Sequence, residues 1–252
     1  MMKNKTHFEN KYFDDIDSIS ASDNYFLPVL KEVKKIVNFK TAKVLDVGCG
    51  TGVFLLPIVS WGCSELYGVD GHTPVADRAI QRGYRDVLAV EDLSSCSLPF
   101  SDETFDLVVC KDVFEHLVCP EFALGEIRRV LKKGRLLLLH VPNHFPLYGR
   151  LKFVLTNNLD TFNYFPGASR FNFPHIRFFE HRGFLTACNE NGFSLVSDLS
   201  YLFPVIPLLN RFKFLQPLIR VVVSRFPNQF AGGFTLVLVN NNIVEPEKPL
   251  SI

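Results

Sequence analysis

Lys43-Val44-Leu45-Asp46-Val47-Gly48-Cys49-Gly50-Thr51-Gly52 is the stretch from which the rest of the chain can be read. Its first half is a short apolar run of the kind that forms a buried strand. Three glycines at alternate positions follow, where that strand must turn into a helix over Val53 to Ser60. Without Cβ atoms, these residues let the backbone close against a ligand and turn N–H groups toward it. The dinucleotide fingerprint G-x-G-x-x-G needs glycine at position 53, where this chain has Val53. The spacing is instead G-x-G-x-G with Asp46 two residues ahead, and an acid there suits a ligand with a positive group better than a pyrophosphate. Taken alone, such a triad also fits an ordinary tight turn.

Outward from the turn, strand and helix alternate. Apolar runs at 66–70, 86–90, 105–110 and 135–141 read as strands, and 73–82 and 122–131 as helices. Strands apolar on both faces, separated by helices, predict a parallel sheet covered on each side. After Pro142 the rhythm breaks: 142–176 is aromatic and without clear period. Residues 177–191 predict a helix closed by Gly192, and 193–199 and 234–239 predict two more strands around a Pro-, Phe- and Arg-rich segment at 201–233. Upstream, Ser22 or Asp23 can cap a helix through Phe26, Leu30, Val33, Ile36 and Val37.

The 252 residues carry a net charge of +1 with 47% hydrophobic and 21% charged side chains, which excludes wholesale disorder and argues against a protein built to grip nucleic acid. The balance is uneven. Residues 1–140 hold 17 basic and 20 acidic groups, whereas 141–252 hold 10 and 6, together with 16 of the 25 phenylalanines. The first ten residues are polar, so no secretory signal is expected, and a reducing, cytoplasmic setting makes the six cysteines small buried hydrophobes. Neither a metal site nor a membrane span is expected: no Cys/His cluster has ligand spacing, and Tyr201 to Ser224 is broken by prolines and basic residues.

Eighteen residues past Gly52, Asp70 ends the second strand, where a carboxylate can accept from both hydroxyls of a ribose or simply cap a helix; Asp92 follows the third and can accept from an exocyclic amine. Val44 to Gly52, then Gly68-Val69-Asp70, then Asp92, Leu98-Pro99-Phe100 and Phe105-Asp106-Leu107 resemble the class I S-adenosylmethionine-dependent methyltransferases. Among these, the chain is most similar to the small-molecule group that includes quinone-biosynthesis methyltransferases. Asp112-Val113-Phe114-Glu115-His116-Leu117 and Glu126 to Gly134 fit the same group.

The resemblance implies an α/β, Rossmann-like, seven-stranded, mostly parallel sheet with its last strand antiparallel and aromatic inserts after strands five and six. It implies one domain over 1–252: a helical cap at 1–40, a cofactor-binding core at 41–141, substrate-side inserts at 142–176 and 201–233, and a loose tail at 241–252. It places Gly48, Cys49, Gly50 and Gly52 along the methionine part of S-adenosyl-L-methionine, with Asp46 orienting the amino group. Asp70 falls at the ribose hydroxyls, Asp92 at the adenine amine with Leu93 beside the ring, and Lys111 under the cofactor; Gly71 joins the cofactor-binding residues. Two extra residues between Asp92 and Leu98 leave Glu91 as the reserve for the amine. Cys49 reads as a small loop residue rather than a nucleophile.

The expected reaction is O- or C-methylation by in-line displacement, leaving S-adenosyl-L-homocysteine. Catalytic candidates are His116, His144 and His175, each a general base for a hydroxyl or a structural residue. The aromatic inserts with Arg150, Lys152, Arg170, Arg177, Arg211, Lys213, Arg220 and Arg225 on their rims suit a lipid-linked or hydrophobic acceptor, docking at the inner face of an anionic membrane, or packing in a homodimer. The alternatives are a catalytically silent, methyltransferase-like binding subunit and an NAD(P)-dependent oxidoreductase.

Overall fold

The computed structural model describes residues 24–157, 175–206 and 212–241. Its centre is a seven-stranded sheet of order β3-β2-β1-β4-β5-β7-β6. The strands are β1 (Val44–Val47), β2 (Leu66–Asp70), β3 (Asp86–Ala89), β4 (Phe105–Lys111), β5 (Leu131–Pro142), β6 (Phe193–Asp198) and β7 (Gly233–Asn240). Pairing is parallel from β3 through to β5, and β7 runs antiparallel to both β5 and β6. The expected Rossmann-like sheet is therefore what forms. Its strand order reverses at β1 and β4, which opens a crevice outside their carboxyl ends.

The near-continuous apolar runs follow from burial on both faces. Leu45, Val47, Val108, Cys110, Leu137 and Leu139 pack beneath α4 (Pro120–Val130) and α6 (His181–Glu190). Their neighbours Val44, Leu107, Val109 and Leu138 pack on the other side beneath α1 (Leu27–Val33), α2 (Leu56–Ser60) and α3 (Ala76–Gln81). α1 carries Pro28 in its first turn, where a missing N–H costs little.

Several boundaries depart from the sequence expectation, each for a local reason. β5 begins at Leu131, directly after α4, and a register shift between Phe105 and Leu107 absorbs the extra residues around Gly134, which sits at φ +70°. α6 begins at His181 rather than 177 because the Glu180 side chain accepts from the N–H groups of Arg182 (3.1 Å) and Gly183 (2.7 Å). The N–H groups of Ile176 and Arg177 are meanwhile committed to Glu115 O.

The segment read as aperiodic contains a helix, α5 (Leu147–Thr156). The 201–233 insert folds into α7 (Gln216–Arg225) and α8 (Pro227–Phe230), with Pro204 bridged to Ala231. The Ser22 or Asp23 cap, Arg170, Arg211 and the tail from 242 lie outside the described residues.

Phe105 is fully buried, with the Phe100 ring edge-on at 4.9 Å and Tyr67 at 5.9 Å. Phe105→Ala is expected to cost about 3–5 kcal/mol, through lost transfer energy plus an unfilled cavity. Urea unfolding measures it; a loss under about 1 kcal/mol would show that this side of the core repacks freely.

Candidate active site

After β1 the chain turns through Gly48, Gly50 and Gly52 at φ +73°, +50° and +78°. Side chains rarely tolerate this left-handed region, and here the space is also taken. A Cβ on Gly48 would lie 2.3 Å from Val113 Cγ2, and one on Gly52 2.6 Å from Tyr84 Cε2. Val53, at the position of the absent third fingerprint glycine, begins a 3-10 turn and is buried.

The turn is tied to the end of β2. Gly48 and Cys49 donate to Val69 O, and Gly50 N–H donates to Asp70 Oδ2 at 2.8 Å. Asp70 Oδ1 accepts from His72 N–H at 2.7 Å. Each Asp70 oxygen keeps accepting capacity for a ligand hydroxyl. Burial pushes this carboxyl up, while the two backbone donors oppose the rise.

Asp46 lies buried beneath the turn, and the Tyr84 hydroxyl donates to its Oδ2 at 2.6 Å. Burial is the main reason its pKa rises to about 7; the Tyr84 bond pulls down, the Asp70 charge pushes up and Lys111 pulls down. Burial likewise pushes the Cys49 thiol far up, so it stays protonated and is no nucleophile. Tyr84 was not legible beforehand, since it stands in a connecting loop that no motif marks.

The other predicted contacts line the same carboxyl edge. Asp92 is exposed, and its oxygens accept from Ser94 N–H and Ser95 Oγ, each at 2.8 Å, bonds that hold it below the ordinary range. Leu93 is half-buried against the core. A Cβ on Gly71 would sit 3.2 Å from Val90 O, so the loops after β2 and β3 meet closely there. At the opposite flank, Lys111 Nζ pairs with Asp112 and stands 3.7 Å over the Phe54 ring. Asp112, at φ +54°, also accepts from Tyr25 Oη at 3.2 Å and faces His140 Nε2 at 3.4 Å. Burial works against its ionisation, but Lys111 and His140 outweigh that and hold it at about 2.

The three predicted histidines come together in one cluster. His144 Nε2 lies 2.5 Å from His175 Nδ1, and the His116 ring centroid lies 4.8 Å from that of His175. A residue not anticipated joins them: Glu115, on the 3-10 turn Phe114–His116 that follows β4. Its Oε1 lies 3.9 Å from His175 Nε2. Burial pushes the Glu115 carboxyl well up, helped by the Asp112 charge, and burial with the two other histidines pushes His175 down to about 3. A concavity of about 310 Å³ lined by Asp102, Arg128, Arg129 and Lys133 opens at the other end of the sheet, where Arg129 already pairs with Asp102 and Glu126.

Residues 45–139 match the family described as methyltransferase domain. The chain is 33% identical over 113 residues to phosphatidylethanolamine N-methyltransferase of Cereibacter sphaeroides, which spans 43% of this chain and 54% of that protein. It is 31% identical over 112 residues to ubiquinone biosynthesis O-methyltransferase of the same species, spanning 43% and 44%. The chain spans about half the length of the curated relatives it matches. A chain from the complex of the Haloferax volcanii Trm112 methyltransferase activator with a methyltransferase superposes with a TM-score of 0.63 at 20% identity, covering 93% of this chain and 97% of that one.

The raised Asp46 carboxyl couples folding to pH. Between the ordinary 3.8 and about 7 the folded state holds a proton that the unfolded state has released, so this group's contribution to stability falls as pH climbs through that window. Asp46→Asn removes the dependence. Relative to wild type the variant should gain up to about 4 kcal/mol between pH 4 and pH 8. Parallel denaturation curves at the two pH values measure this, and equal differences at both would contradict a protonated Asp46.

Proposed function

We propose that this chain, whose residues 45–139 match the methyltransferase domain and whose sheet has the Rossmann-like order, is a class I methyltransferase that transfers a methyl group from S-adenosylmethionine to a small hydrophobic or lipid-like acceptor. The observation that carries the reading is the left-handed glycine turn closed over buried Asp46 and tied to Asp70. These residues fit the cofactor: a backbone cradle without Cβ atoms, a carboxyl below it for an ammonium, and a second carboxylate with lone pairs to spare for a ribose. An oxidoreductase reading is disfavoured by the Val53 side chain, and an intact cradle disfavours a silent subunit.

When bound, the cofactor supplies an electrophilic methyl group on a sulfonium. The protein's work is to hold, orient and exclude water. In this reading Gly48, Cys49, Gly50 and Gly52 follow the methionine part, and Asp46 gives up its proton as the ammonium approaches. Asp70 takes the ribose hydroxyls beside Gly71, Asp92 and Leu93 take the adenine, and Lys111 flanks the crevice. Alignment of donor and acceptor for in-line attack on the methyl carbon contributes roughly 7–11 kcal/mol. O- or C-methylation both suit this arrangement.

The lipid-like acceptor is supported by surface chemistry at the same edge. Val154 (73% exposed) and Leu155 (84%) on α5, and Phe214 (77%) with Leu218 and Val221 at α7, offer apolar surface to solvent, rimmed by Arg150, Arg220 and Arg225. Among the described residues no helix is long and apolar enough to cross a membrane, so contact would be from the side. One relative is named for a phospholipid headgroup methylation.

Calorimetric titration with S-adenosylhomocysteine tests the cofactor site. Micromolar binding is expected, tightening as pH rises through about 7 because Asp46 must release its proton, and weakening at least tenfold in Asp70→Ala. No binding by folded wild type would overturn the reading. Separately, the protein should pellet with phosphatidylglycerol vesicles at low salt and less so at high salt. If it stays in the supernatant at low salt, membrane docking fails.

A further inference from the structure

Glu115 is fully buried, and neither of its carboxylate oxygens makes a hydrogen bond among the described residues. A buried carboxylate without a donor is strongly unfavourable unless a cation or proton meets it. What surrounds it is ligand chemistry rather than apolar packing. One oxygen of Glu115 and one nitrogen each of His116 and His175 all lie within 4.8 Å of one another.

The supporting structure fixes these three donors in place. Ile176 and Arg177 donate their N–H groups to Glu115 O at 2.9 and 3.1 Å, which staples His175 to the turn carrying Glu115 and His116. His144 Nε2 engages His175 Nδ1 at 2.5 Å. That contact sets the ring so that Nε2, the other nitrogen, looks toward Glu115. Metal-binding imidazoles are oriented in this way by a partner on the nitrogen that does not coordinate. His116 is exposed while Glu115 and His175 are buried, so the group is closed behind and open in front.

We propose that Glu115, His116 and His175 form a binding site for a divalent first-row transition metal, with His144 as the positioning residue behind His175. Two imidazoles and one carboxylate form a three-ligand set that leaves coordination positions for water or substrate, as in catalytic zinc and non-haem iron sites. Imidazole and carboxylate together favour such ions over calcium, which takes oxygen ligands alone.

The site lies at the carboxyl end of β4, in the turn that begins with Val113 against Gly48. Resting on the methyltransferase reading, this position gives the metal a role toward the acceptor. An acceptor hydroxyl bound at the open position loses its proton to water more readily, because the ion stabilises the oxygen anion. That oxygen's lone pair then forms the new carbon–oxygen bond as the carbon–sulfur bond breaks, its electron pair staying on sulfur. No further base is needed, and the acceptor atom is oxygen.

The test is titration of the full, metal-stripped chain with Co²⁺ and Zn²⁺ by calorimetry, with the visible Co²⁺ spectrum as the second readout. One ion per chain is expected, with Kd below about 10 µM. Affinity should fall more than 100-fold in Glu115→Gln and in His175→Gln, and about 10–100-fold in His144→Ala, with a changed Co²⁺ spectrum in each. His116→Ala, at an exposed position, is the control should a buried variant fail to fold, and it should lose affinity as strongly as the other two ligands. No binding by wild type, or binding that survives these substitutions, overturns the site. S-adenosylhomocysteine titration of the same samples keeps the two readings apart. Retained nucleoside binding without metal binding removes only the metal site, whereas metal binding without nucleoside binding removes only its methyl-transfer role.

Discussion

The Asp70 carboxylate, spanning the N–H groups of Gly50 and His72, is the contact on which the carboxyl edge of the sheet depends. A turn through three left-handed residues has no regular hydrogen-bond ladder of its own, so its shape must be imposed from outside. Asp70 and the Val69 carbonyl impose it together from the neighbouring strand. The consequence travels further, because Gly48 is in contact with Val113, and Val113 leads the 3-10 turn of Glu115 and His116. Glu115 O in turn holds Ile176 and Arg177, and so fixes where His175 stands. The end of β2 is thus linked, through the glycine turn, to a cluster of imidazoles drawn from distant parts of the chain.

Three acids sit within a short stretch of this edge, and each meets burial differently. Asp112 is compensated by Lys111, Tyr25 and His140, and remains ionised. Asp46 has a single hydroxyl, from Tyr84, and takes a proton near neutrality. Glu115 has no donor among the described residues. A fold selected for stability alone would satisfy all three or replace them with apolar residues, since unpaired buried charge is among the costliest features a core can carry. Asp46 and Glu115 are thus the two acids of this edge whose burial the surrounding residues compensate least.

The sheet was legible in the sequence because buried parallel strands leave continuous apolar runs, and Val44–Val47, Leu66–Asp70 and Phe105–Lys111 each show one. The glycine spacing and Asp70 were legible for a similar reason: backbone geometry admits few substitutes there. The start of β5 was not, since Lys132, Lys133 and Gly134 read as a turn while they bulge out of a strand already begun. Helix α5 was hidden because its apolar residues stay largely exposed, and with no buried face to mark they have no single period. Tyr84 and Glu115 act through contacts across 38 and 60 residues, Tyr84 with Asp46 and Glu115 with His175. Local patterns carry no trace of such pairings.

The placement of the apolar inserts follows from the direction of one strand. β5 ends at Pro142 and β7 begins at Gly233, and antiparallel pairing sets those two residues side by side. β6 runs antiparallel to β7 and finishes at the same edge. The chain that leaves β5 and the chain that enters β7 must therefore both emerge at the edge of the sheet where β1 and β4 have their carboxyl ends. Had β7 been parallel, the segment leading into it would have approached from the opposite edge, and α7 and α8 would stand away from the crevice. The reversal of β7 is thus also what brings the segment carrying Phe214, Leu218 and Val221 to the carboxyl edge of the parallel strands.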